Sequence, residues 1–94
     1  MKVVFRPEAD VVLDEVAEFI DTLNTEGSGD FWVAKFISHL YSYALPNTSY
    51  ALCNNSELAA AGFSCINYNG WVIAFKIEED LFVVHKITRG SILI

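Results

Sequence analysis

Positive charge is scarce in this 94-residue chain. Six Lys and Arg face twelve Asp and Glu, for a net charge of -6 and a pI near 4.6. Affinity for nucleic acid comes mostly from neutralising many phosphates, so this balance argues against direct nucleic-acid binding. Long apolar runs are missing too. None reaches the length of a membrane helix, and "MKVVFRPEAD" lacks the long apolar core of a signal peptide. No membrane association is expected, and the expected compartment is the cytoplasm. Cysteine is nearly absent. Cys53 and Cys65 have no Cys or His neighbour at metal-ligand spacing, so no metal and no cofactor is indicated. In a reducing compartment both read as free thiols packed as small apolar groups.

What the chain does have is apolar mass. Its hydrophobic fraction of 53% exceeds the usual range of about 45–50%. A single domain over residues 1–94 can therefore build a core without staples and keep apolar surface for a partner.

The first legible element is "KVVF", a β-branched and aromatic run closed by Arg6-Pro7. Pro7 with Glu8 and Asp10 makes a good helix start, since proline needs no amide partner and acids suit the positive helix end. Val12, Val16, Phe19, Ile20 and Leu23 then recur at helical spacing, with Asp14, Glu15, Glu18 and Asp21 on the other side. After "NTEGSGD" a second helix is expected, with Trp32, Phe36, Ile37, Leu40, Tyr41 and Ala44 as its apolar face and Pro46 as its stop. The short connection predicts an antiparallel helix hairpin. His39 falls opposite the apolar centre and reads as a solvated surface histidine. Residues 46–62 are too long for a plain connection. "SELAAA" within them can make one helical turn capped by Ser56.

Strands follow. Asn69-Gly70 is a strong hairpin signal, because a type I′ turn needs two positive φ angles. The second turn, Glu78-Glu79-Asp80, has no glycine and predicts a loop of three or more residues. A three-residue loop pairs Ile77 with Leu81 and puts Lys76, Phe82, Val84 and Lys86 on one face. Trp71, Ile73, Phe75, Val83, His85 and Ile87 then face the helices. The expected class is α+β, in the order β-α-α-β-β-β, with an antiparallel sheet packed on the two-helix hairpin. Helices are placed at about 8–23 and 29–45, and strands near 2–6, 63–68, 71–77 and 81–88.

That order, with "KVVFRPEAD", "GFSCINYNGWVIAFKIEED" and "LFVVHKITRGS", resembles the RelE/ParE superfamily of toxin–antitoxin toxins, in particular its ParE-like, plasmid-stabilisation branch. Gly62, Trp71, Ile73, Phe75 and Lys76 match that family's pattern around the first hairpin. Lys86, Arg89 and Gly90 match its last strand. The chain departs from the pattern at Ser64, where the family carries an arginine. It departs again at Lys76 for an arginine and at Arg89 for a histidine.

The resemblance implies the toxin-like component of a type II toxin–antitoxin pair with a cognate antitoxin protein as partner, and leaves a homodimer open. Some relatives cut ribosome-bound mRNA, by attack of a ribose 2′-hydroxyl on the adjacent phosphate. That chemistry needs a base, an acid and cations for the developing charge. The candidates are Lys76, Lys86, Arg89 and Tyr68, with His85 behind them. An unperturbed lysine is a poor base at neutral pH, and arginine only stabilises charge. Others inhibit DNA gyrase by binding it, which needs no catalytic set and suits an acidic, apolar chain better. For that mode Lys76, Lys86, Arg89 and Trp71 form the expected contact set, the three cations making a small positive island at the open face and C-terminal end of the sheet. A third alternative is a non-toxic member that acts only as a binding module. For the cations themselves, plain protection of a sheet edge is the competing explanation.

Overall fold

The computed structural model describes residues 1–46 and 50–90; part of the 46–62 connection (47–49) and residues 91–94 lie outside it. Strand β1 (Lys2–Phe5) leads directly into helix α1 (Pro7–Leu23), with Arg6 extended ahead of the proline. Ala9, Leu13 and Val16 are the buried residues of α1, spaced by four and three. The inward stripe is thus rotated from the expected one. Phe19 and Leu23, expected to face the core, are 60% and 67% exposed.

A four-residue connection leads to helix α2 (Ser28–Tyr41). The helices approach closely at Gly29. A Cβ there would stand 2.1 Å from the Ala17 carbonyl oxygen, and the Gly29 amide donates to Asp21 Oδ1 at 2.7 Å. Phe36 and Leu40 are fully buried. The helix ends at Tyr41, earlier than expected, and runs out through tight turns in which Ser42, Tyr43 and Ala44 donate to His39, Leu40 and Tyr41. His39 is half-buried between the rings of Tyr43 and Tyr68, not on a solvated face.

The sheet has the order β1-β4-β3-β2, with β2 at Ser64–Tyr68, β3 at Trp71–Glu78 and β4 at Leu81–Arg89. The two hairpins are antiparallel as expected, but β1 joins β4 in parallel, Lys2 opposite Leu81 and Phe5 opposite Val84, so the sheet is mixed. Ile66, Ile73, Phe75, Phe82, Val84 and Ile87 share one core with Ala9, Leu13, Phe36 and Leu40, which places both helices on the same face. Phe75 and Phe82 stack at its centre, 4.2 Å apart.

Asn69 and Gly70 adopt φ of 48° and 84°, as a type I′ turn requires. The second turn corrects the sequence reading. Glu79 and Asp80 take φ of 50° and 63°, and this two-residue turn pairs Glu78 with Leu81. Asp tolerates that region through local side-chain bonding, and the flanking strands impose it on Glu79. A bulge then corrects the register: Phe75 pairs with Val84 and Ala74 with Lys86, leaving His85 as the extra residue. Upstream of the bulge Phe82 and Val84 face the helices and Val83 faces away, the reverse of the expected parity.

Tyr50 still packs on Phe75 on the helix side, and residues 53–63 then run back over the other sheet face. Leu52 bridges Ser64, and the Cys53 amide donates to the Phe63 carbonyl at 2.9 Å. Asn55, one residue before the expected cap, accepts from the Leu58 amide and starts helix α3 (Ser56–Ala60). Cys53, Leu58 and Ala74 form a second small core with Phe63 and Cys65 against it. The cysteines are not free thiols. This return path sets Cys53 beside Cys65 with Cα atoms 4.9 Å apart, and a disulfide joins them.

No helix among the described residues is long and apolar enough to cross a membrane.

Candidate binding groove

Because α1 turns Ala9 and Leu13 inward, its Val12, Val16, Phe19 and Ile20 form a second apolar strip along its flank. Trp32 of α2 stands across from that strip. The end of the sheet closes the floor with Asn69 of the turn, Trp71 and Arg89. These residues, with Glu15, line a groove of about 350 Å³. The sequence dictates its sheet end simply. The tight Asn69-Gly70 turn makes Trp71 the first residue of β3, and the register sets it opposite Arg89, with the Gly90 amide bonded to the Gly70 carbonyl. The Arg89 guanidinium lies 4.9 Å over the Trp71 ring. Trp32 is held from behind, stacked on Phe36 at 5.4 Å and edge-on to Tyr68 at 5.8 Å.

The groove carries one cation, one acid and one amide on an otherwise apolar wall. Its surroundings are acidic. Asp10, Asp14, Glu15 and Glu18 are exposed along α1, and Val11, Phe19 and Leu23 of α1 and Phe31 of α2 are exposed apolar side chains. Two rigid indoles, one stacked under a guanidinium, suit the capture of apolar anchors from a protein segment.

The residues singled out from the sequence do not form one site. Tyr68, Trp71 and Arg89 lie on the helix-facing side, Tyr68 packed among His39, Phe36 and Trp32. Lys76 and Lys86 lie on the opposite side, because Lys86 pairs with Ala74, two residues from Lys76. Lys86 is exposed, whereas the Lys76 ammonium caps the Phe63 ring at 4.6 Å. The expected island of Lys76, Lys86 and Arg89 is therefore split by the sheet, and so is the set with Tyr68. A base and a charge stabiliser must reach the same phosphate to cleave it.

His85 also departs from expectation. The two-residue Glu79-Asp80 turn reverses the parity of the first part of β4 and puts His85 on the second face with Val83, where Nε2 meets Glu78 Oε2 at 2.7 Å and the ring packs on Phe63. The hydrogen bond with His85 holds the Glu78 carboxyl below its ordinary value. Loss of hydration opposes this, and the charges of His85, Lys76 and Arg6 add to the lowering.

Glu15, Phe19, Trp32 and Asn69 were not read as site residues. A signal for the α1 wall alone lies in the sequence, where Val11, Val12, Leu13, Val16, Phe19, Ile20 and Leu23 exceed what one buried stripe can hold. Among the described residues no group of three or more His, Cys, Asp and Glu is placed to hold a metal ion. No protein-family model matches the chain, and no curated protein matches it.

Proposed function

We propose that this chain is a protein-binding domain, the toxin-like component of a type II toxin–antitoxin pair, acting by contact rather than by cutting RNA. The observation that carries this reading is the Trp32–Trp71–Arg89 groove, an apolar slot in an acidic surface. An amphipathic helix fits such a slot with its apolar face, and basic residues on its flanks would meet Asp14, Glu15 and Glu18. A basic amphipathic segment of a cognate antitoxin is the occupant this chemistry favours. DNA gyrase is the target that the family resemblance names. The division of Lys76 and Lys86 from Tyr68 and Arg89 supports contact over phosphate chemistry. The same reading places the protein in the cytoplasm.

The test is inducible expression in bacteria. Growth should slow and DNA-damage signalling should rise while mRNA stays intact. Trp71→Ala should relieve the effect, and Lys86→Ala should not. Ribosome-dependent mRNA cleavage by the purified protein would establish the nuclease alternative instead. Unimpaired growth at high expression would leave a binding module without toxicity.

A further inference from the structure

On the face away from the groove, the Cys53–Cys65 disulfide is placed asymmetrically. Cys53 is buried at 7% exposure, inside the small core with Leu58 and Ala74. Cys65 is half-buried and lines a cavity of about 140 Å³ with Asn54, Asn55, Asn67 and Val72. One sulfur thus belongs to a residue that borders a polar, solvent-reached cavity, while the other belongs to a residue within apolar packing. We propose that this is a thiol–disulfide exchange site for a small thiol, with Cys65 as the attacked residue and residues 52–63 as the segment it releases.

The chemistry needs only a low-molecular-weight thiol as co-reactant. Its thiolate attacks Cys65 Sγ and a mixed disulfide forms. The protein S–S bond breaks and its electron pair leaves on Cys53 Sγ, which takes up a proton. A second thiol attacks the sulfur of the bound thiol, frees Cys65 and departs as the oxidised dimer. Two thiols are oxidised to one disulfide, and the protein disulfide is reduced by the same two electrons. The amide side chains of Asn54 and Asn67, which border the cavity, present donors and acceptors suited to the peptide-like body of such a thiol.

Release follows from how the segment is held. Besides the disulfide, the Leu52–Ser64 bridge ties it to β2, the Cys53–Phe63 hydrogen bond closes it on itself, and Leu58 on Ala74 and Phe63 against Lys76 and His85 seat it on the sheet face. The main core uses none of residues 52–63. Opening therefore uncovers Ala74 and loosens Phe63, on which Lys76 and His85 rest, without dismantling the helix–sheet body. Disulfides in reducing compartments are usually transient or redox-sensing, which suits a bond with one accessible end.

The experiment uses the full chain, purified oxidised and treated with reduced glutathione. Quenching and peptide mapping should find the mixed disulfide on Cys65 and not on Cys53. Amide exchange should speed up by roughly tenfold or more at Cys53, Ala59, Ala61 and Phe63, while Ile73, Phe75 and Val84 keep their protection. Asn67→Leu, which fills the cavity from an exposed position, should slow glutathione reduction by about tenfold, since exchange rates depend on access to the sulfur. Adduct on Cys53, unchanged exchange in 52–63 after full reduction, or loss of protection in β3 and β4 along with it would each overturn the proposal. So would free thiols in protein purified under oxidising conditions. The groove of Trp32 and Trp71 lies on the other face, so these outcomes do not depend on its occupant.

Discussion

Trp71 and Arg89 act as one unit because the hairpin pairs them across the ladder and the guanidinium rests on the indole. Losing either should therefore disturb both. Trp71→Ala is expected to weaken partner binding by about 2 kcal/mol, roughly thirtyfold, as for a buried aromatic anchor. Arg89→Ala should cost less, about 1 kcal/mol, and the double variant less than the sum. Titration calorimetry with the cognate partner checks all three. Glu78 makes a different kind of prediction. Its carboxyl is held below the ordinary value by His85, so its stabilising effect is present above the unfolded carboxylate range and fades as pH falls through the folded value. Glu78→Gln should lower the melting temperature at neutral pH, and the gap to the parent should close in acid.

At the scale of elements, the two turns show what local sequence can and cannot reveal. Asn69-Gly70 was legible because both residues suit positive φ, and the strands meet there as expected. Glu79-Asp80 was not, because the flanking strands impose a left-handed conformation that glutamate disfavours. Glu79→Gly should then stabilise the protein by up to about 1 kcal/mol by chemical denaturation, since glycine relieves that conformation. The bulge at His85 was hidden for a related reason. It compensates a turn length that the sequence had not revealed, and it alone keeps Lys76 and Lys86 on one face. The order of helices and strands was readable from caps and alternation. The rotation of α1 was not, because its apolar residues fit two faces and tertiary contacts, among them the close approach of Gly29 to Ala17, accompany the one that turns inward. Gly29→Ala should accordingly separate the helices and destabilise the fold by about 2–3 kcal/mol, measurable by urea denaturation.

For the whole molecule, the charge imbalance has an address. Six of the twelve acids lie in α1, beside the groove, at Glu8, Asp10, Asp14, Glu15, Glu18 and Asp21. Association with a basic partner should therefore weaken with added salt, mainly through a slower on-rate. The disulfide is the other global feature that composition concealed. Nothing in the spacing of Cys53 and Cys65 foretells a chain path that returns along the edge of β2. Cys53→Ser with Cys65→Ser should lower unfolding free energy by about 3 kcal/mol, by removing a constraint on the denatured chain. The parallel seating of β1 on β4 also bears on how the protein is born. During synthesis, residues 2–5 emerge well before their hydrogen-bonding mate, residues 81–84, and β4 is also the mate of β3. Until that stretch leaves the ribosome, β1 has no neighbour in the sheet, the β2–β3 hairpin has an open edge, and the core of Phe36 and Leu40 lacks Phe82, Val84 and Ile87. Such distant pairings form slowly and leave sticky edges exposed meanwhile. The nascent chain should therefore depend on chaperone shielding until β4 inserts between its two waiting neighbours.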